Sequence, residues 1–185
     1  MTATVRALEL RLSPHRVAAA LAARRFRPEV VRGGRLSPLR LTRVPRPERR
    51  DGWIRVAPTL GGICASDQKL LRITGTGTTL MALYGIPWAF VPGHEVVGVV
   101  TETDRNTGVS EGDRVVLEPI LSCVDKGFAP CARCARGDDH TCARLTDKGT
   151  AVKGMGFGLP SHGANLGGGW SEELVAPAHR AFRVP

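Results

Sequence analysis

A chain of 185 residues with 42% hydrophobic side chains is long enough for one domain with a real core and needs no disulfide framework. Its net charge of +9 is concentrated at the front: residues 1–55 carry 14 Arg against 4 acids, whereas residues 56–185 carry 12 basic and 13 acidic side chains. The basic front has only Phe26 and Trp53 as aromatics, so the ring-and-charge interleaving of a nucleic-acid surface is missing and nucleic acid is not expected as a partner.

In chain order, residues 4–12 alternate apolar and polar side chains, which predicts a strand. Ser13-Pro14 then reads as an N-cap and first-turn pair for a short helix through Arg25. The alanine-rich run inside it, residues 17–23, is closed by Arg16 and Arg24 and is too short for a signal-peptide core or a membrane span. No membrane role is expected. Pro28, Gly33, Gly34 and Pro38 interrupt any regular element beyond Arg25, so residues 1–38 are read as a basic strand-and-helix excursion and residues 39–185 as the main domain.

From Leu39 onward short strands are predicted over residues 39–44, 53–58, 95–103, 114–118 and 171–176, separated by Gly, Pro, Asp and Asn. Residues 65–71 and 78–84 are expected as short helices. The result is a mainly β chain with short helices, an α+β pattern that indicates a β-barrel or a sandwich. Gly154-Met155-Gly156-Phe157-Gly158 and Gly167-Gly168-Gly169 are read as loops. Pro160 blocks a following helix and no βαβ unit surrounds them, so neither is a phosphate cradle.

The cysteines carry the chemistry. Cys123, Cys131, Cys134 and Cys142 crowd together, while Cys64 stands alone, thirty positions before His94-Glu95. An odd cysteine count with a C-x2-C pair and no secretory signal indicates metal binding in a reducing compartment, hence the cytoplasm. A structural zinc takes four tetrahedral ligands, and a catalytic zinc keeps three protein ligands and an open position. The four-cysteine set suits the first. Cys64 and His94 suit the second, with the third ligand to come from Glu95, from Asp67 or from outside these residues. Ser66 and Asp67 place a hydroxyl and a carboxylate beside the Cys64 thiolate, as a proton carrier and an outer anchor. Taken singly, Cys64 could be a small buried hydrophobe and His94 a core histidine.

The stretches Gly61-Gly62-Ile63-Cys64-Ala65-Ser66-Asp67, Pro92-Gly93-His94-Glu95-Val96-Val97-Gly98 and Gly112-Asp113-Arg114-Val115, with the cysteine cluster and Gly169-Trp170-Ser171-Glu172, resemble the N-terminal catalytic domain of the zinc-containing medium-chain alcohol dehydrogenases. The resemblance runs from about residue 39 to the end. It implies a GroES-like, partly open β-barrel with a catalytic zinc at Cys64, His94 and Glu95 and a structural zinc at Cys123, Cys131, Cys134 and Cys142. It further implies that Ser66 hydrogen-bonds the alcohol and passes its proton outward, and that Asp67 orients His94. The implied reaction is oxidation of a small alcohol, or reduction of a carbonyl, with NAD or NADP.

In that family a Rossmann domain follows the barrel and a further zinc ligand lies beyond the position of Pro185. The nicotinamide would therefore come from a separate or missing cofactor domain, and a homo-oligomer or a separately encoded nucleotide-binding chain is a candidate partner. Two features depart from the family pattern. Phe128 stands where the first cysteine of C-x2-C-x2-C-x7-C should be, so that residues 124–130 must loop to bring Cys123 round. Lys69 stands where some relatives carry an outer histidine, and is read as a surface charge. The alternatives are a non-enzymatic zinc module that contacts nucleic acid or protein through the Arg-rich front, and an assembly or chaperone-like subunit.

Overall fold

The computed structural model describes residues 3–12, 15, 18, 19, 22, 23, 37–71, 89–144, 153, 154, 156–158, 161, 162 and 165–185. The alternation at the front does make a strand, β1 (Thr4–Arg11), which pairs antiparallel with β2 (Leu39–Pro45). Val5, opposite Val44, and Ala7 turn one face of β1 inward, Leu8 with Leu41 faces out on the other, and Leu10, opposite Leu39, is buried further along that second face. The division drawn at residue 38 thus falls inside one sheet, with β1 on one side of it and β2 on the other. A two-residue strand, β4 (Ala89–Phe90), covers the other edge of β1.

The larger sheet has five antiparallel strands in the order β10-β6-β5-β3-β9. These are β3 (Trp53–Gly61), β5 (Val96–Glu102), β6 (Arg114–Leu117), β9 (Leu174–Pro177) and β10 (Ala181–Arg183). β3 and β9 enter the core with consecutive buried residues, because both faces of the sheet are covered there. Ile54, Val56, Val100, Val115, Leu117, Phe157, Leu174 and Val175 pack together to form that core. The curled sheet is the half-open barrel expected from the sequence.

Arg55 sits among these apolar side chains with only 5% of its surface exposed. Its guanidinium reaches Glu102 Oε2 at 2.8 Å, the carbonyl of Pro47 at 2.9 Å and Glu173 Oε2 at 3.2 Å. A charge so placed is tolerable only when paired and hydrogen-bonded on every side. Arg55, with Arg49, holds the Glu102 carboxyl below the usual carboxylate range. The two sheets are joined by a bridge between Ala7 and Ser171 and by amides of Leu8 and Glu172 donating to the carbonyls of Trp170 and Arg6.

Several expectations shift. β3 continues past Pro58 to Gly61, because a register irregularity between Pro58 and Leu60 absorbs the proline in its pairing with β5. The last predicted strand begins at Leu174 rather than at residue 171, since the Ser171 hydroxyl bonds the carbonyls of Gly168 and Glu173 and bends the chain. The glycine loop at 154–158 contains part of a small hairpin, β7 (Lys153–Gly154) with β8 (Ser161–His162), and Gly156 bridges to Ile120. Of the helix expected after Ser13, His15, Ala18, Ala19, Ala22 and Ala23 are helical, and its other residues lie outside the described ones, as does the helix expected at 78–84. The helix α1 (Ala65–Leu71) forms as expected. No helix among the described residues is long and apolar enough to cross a membrane.

Leu174 has no exposed surface, whereas Leu41 is 73% exposed. Leu174→Ala should cost about 2–5 kcal/mol in urea unfolding and Leu41→Ala well under about 1 kcal/mol; equal losses would contradict this placement of the core.

Candidate metal centres

The first centre is assembled where two loops leave the large sheet. β3 ends at Gly61, and Gly62-Ile63 leads to Cys64 and the first turn of α1. The second loop, residues 91–95, brings His94 and Glu95 to the start of β5. The amide of Gly62 donates to the carbonyl of Glu95 at 2.7 Å and stitches the loops together. The donor atoms of Cys64, His94 and Glu95 then lie within 4.8 Å of one another. Cys64 and His94 are half-buried and Glu95 is exposed, so the set has an open side.

Asp67 is buried and does not join the donor set. Its Oδ2 accepts the backbone amide of Cys64 at 3.0 Å, and its Oδ1 stands 3.9 Å from His94 Nδ1, within ion-pair range but beyond a hydrogen bond. Burial raises the Asp67 carboxyl, against the lowering effect of the Cys64 amide and of His94. His94 Nδ1 is itself buried without a hydrogen-bond partner. Three converging donors with one open side fit a divalent cation. Ser66 is half-buried on the first turn of α1, and Lys69 is exposed on the same helix.

Close backbone approach makes this geometry possible. A β-carbon on Gly62 would lie 2.3 Å from Glu95 Oε2, and one on Gly93, whose φ is +93°, would lie 2.6 Å from Trp170 Cδ1. The glycine runs read as plain loops serve the same packing: Gly168 lies against the carbonyls of Pro92 and Val91, and Gly158 against that of Gly93. Gly167, with φ +72°, is the turn residue of that run.

The second centre is the four-cysteine lobe. Cys123, Cys131, Cys134 and Cys142 bring their sulfurs within 4.8 Å of one another, and Cys123 Sγ lies 3.5 Å from Cys142 Sγ. The missing cysteine at Phe128 is made good by a tight turn. Asp125 Oδ2 accepts from the amide and hydroxyl of Ser122 at 2.7 and 2.9 Å, and the amides of Lys126 and Phe128 both donate to the Cys123 carbonyl. Cys123 is carried into the cluster from that turn. Short 3-10 turns at Cys134–Arg136 and Asp139–Thr141 place the other sulfurs.

Amides of Cys134, Ala143 and Arg133 point at Cys131 and hold its thiol down to about 6. Burial pushes Cys123 and Cys134 up. One thiolate is therefore prepared by backbone amides, and its buried neighbours call for a cation to ionise them, which fits a closed metal site.

Sequence reasoning missed the groups that tie this lobe to the barrel. Arg180, 6% exposed, reaches Glu118 at 2.8 Å, Asp125 at 3.2 Å and Asp139 at 2.5 Å. Nothing local marks it, because each partner is more than forty positions away. Trp170 was also missed as a site residue, although its Gly-Trp-Ser-Glu setting is one of the motifs. Its indole Nε1 donates to the Gly62 carbonyl at 3.2 Å.

Comparison with known proteins agrees with the geometry. The sequence profile of the alcohol dehydrogenase GroES-like domain matches residues 50–185. An L-threonine 3-dehydrogenase of Deinococcus deserti is 33% identical over 145 residues, 78% of this chain and 35% of that protein. An uncharacterized zinc-type alcohol dehydrogenase-like protein of Haemophilus influenzae is 30% identical over 144 residues, 77% of this chain and 34% of that protein. Among solved structures, the cobalt- and zinc-bound thermostable alcohol dehydrogenase of Pyrobaculum aerophilum superposes with a TM-score of 0.59 at 22% identity, over 98% of this chain and 42% of that one. That last likeness speaks to the fold, and the chain spans about a third of the length of the curated relatives it matches. On the profile match, this chain belongs to the alcohol dehydrogenase GroES-like domain family.

Proposed function

We propose that this domain is the zinc-binding catalytic part of an oxidoreductase that interconverts a small alcohol and its carbonyl compound with NAD or NADP. The observation that carries the reading is the open Cys64, His94 and Glu95 donor set beside a closed four-cysteine cluster. Cys64, His94 and Glu95 would hold a catalytic zinc, and Cys123, Cys131, Cys134 and Cys142 a structural one. Zinc in the open set supplies Lewis acidity, which makes an alcohol hydroxyl proton easy to lose near neutral pH.

The chain's own groups do the rest. Ser66 hydrogen-bonds the alcohol and carries the hydroxyl proton outward. Asp67 holds the Cys64 backbone in place and steadies the His94 ring. A nicotinamide dinucleotide, when bound, would supply the hydride acceptor, so that alcohol and oxidised dinucleotide would give carbonyl, reduced dinucleotide and one proton. All strand pairs among the described residues are antiparallel, so the dinucleotide is assigned to a parallel-sheet unit outside them, in another domain or a partner chain. The relative named as an L-threonine 3-dehydrogenase supports a small hydroxy compound as the substrate class. Five cysteines outside disulfides support a cytoplasmic setting.

The non-enzymatic reading, with the basic front on nucleic acid, finds less support. Arg6, Arg46, Arg49 and Arg55 are each paired with Glu102, Asp104, Glu172 or Glu173.

Elemental analysis of the purified protein should find two zinc ions per chain. Cys64→Ser and Cys131→Ser should each remove one ion and leave the other. A single zinc lost only with Cys131→Ser would contradict the catalytic centre. In protein that carries a nucleotide-binding unit, Ser66→Ala should keep both metals and slow alcohol-dependent dinucleotide reduction by roughly 10²- to 10⁴-fold. An unchanged rate would remove Ser66 from the proton path.

A further inference from the structure

Trp170 is not one of the three donor residues, yet it contacts the backbone immediately ahead of two of them. On one side its indole Nε1 donates to the carbonyl of Gly62, two positions before Cys64. On the other its Cδ1 is 2.6 Å from where a Gly93 β-carbon would stand, one position before His94. The same ring atom is 3.2 Å from the β-carbon position of Gly61. The indole is therefore wedged between the two loops that deliver the thiolate and the imidazole. Only glycine at these positions lets it fit.

The wedge is itself fixed. The Trp170 amide donates to the carbonyl of Pro92 at 3.2 Å, and the Gly169 amide to that of Gly93 at 2.7 Å. The Trp170 carbonyl accepts the amide of Leu8 at 2.8 Å, which anchors the residue to β1 in the other sheet. Its ring packs against the cluster of Val5, Ala7, Val44 and Val91. Motion of either loop must break one of these contacts.

We propose that Trp170 is a positioning residue for the metal centre: a strut, braced on the small sheet, that sets the separation of Cys64 and His94 through its bond to Gly62 and its seat on Gly93. The proposal rests on the zinc reading given above and goes beyond it by naming a residue that is not a ligand and acts through two that are. Removing only the indole N–H should loosen the Cys64 loop while leaving the packing in place.

The test is a cobalt(II) titration with a competing chelator, read by the visible ligand-field bands and the thiolate-to-cobalt charge-transfer band. Wild type should bind two ions with distinguishable spectra. Trp170→Phe should weaken the Cys64 centre by roughly tenfold, the effect of one lost hydrogen bond of this kind. Its charge-transfer band should weaken or shift, whereas the four-cysteine centre keeps its spectrum and affinity. Should Trp170→Phe fail to fold, benzothienylalanine at position 170 gives an isosteric ring without the N–H and should show the same selective loss.

A wild-type protein with two cobalt ions whose Cys64 centre is unaltered by either replacement would overturn the strut and leave the zinc reading standing. Equal weakening of both centres with a lowered unfolding midpoint would make Trp170 an ordinary packing residue and overturn the proposal. A wild-type protein that binds a single ion, with no low-sulfur spectrum, would overturn the zinc reading and the strut together.

Discussion

The backbone contacts among residues 61–62, 92–93 and 168–170 are the constraint on which the rest of this structure depends. Three chain segments meet there at distances that leave no room for a β-carbon. Each segment is bound to another by a main-chain hydrogen bond or by the Trp170 indole. Folding the curled sheet is what brings them together, since β3 supplies the first segment, the lead into β5 the second and the lead into β9 the third. Cys64 and His94 are carried into range of each other as a consequence, so that backbone packing sets the geometry of the donor set. A set positioned in this way keeps the conformational cost of binding a cation low and has one open side.

The cysteine lobe obeys a different logic. It contains little regular structure, and its sulfurs are brought together by turns. What it borrows from the barrel is Arg180. That buried guanidinium gathers Asp125 and Asp139 from the lobe and Glu118 from the end of β6, and so couples the lobe to the large sheet. Breaking such a network by removing one partner costs about 3–5 kcal/mol, because the remaining charges stay buried. The two centres thus draw on separate supports: glycine packing for the open one, and charge pairing with metal for the closed one.

Much of this was legible in the sequence, for identifiable reasons. β1 alternates apolar and polar residues, and that pattern marks it as a strand. Cys64, His94 and the cysteine cluster were found because few residue types bind zinc and their spacing narrows the choice. Cys123 was read into the cluster from its sequence position, but the turn that delivers it, with Asp125 folding back on Ser122, was not legible. The extension of β3 past Pro58 was hidden by a bulge, and β10 is too short to show a period. Trp170 and Arg180 escaped because their partners lie far along the chain, where no local pattern reaches. The Gly168 and Gly158 contacts belong to the same class: a run of glycines announces freedom, and only the fold shows that its use here is close approach.

X-ray absorption at the zinc edge of the fully loaded wild-type protein tests the central claim most directly. Five cysteine sulfurs shared between two ions, with nitrogen and oxygen from His94 and Glu95 on one of them, predict a mixed sulfur and nitrogen/oxygen shell with an imidazole signature. A shell of sulfur alone, without that signature, would show that Cys64 and His94 do not share an ion and would contradict the account.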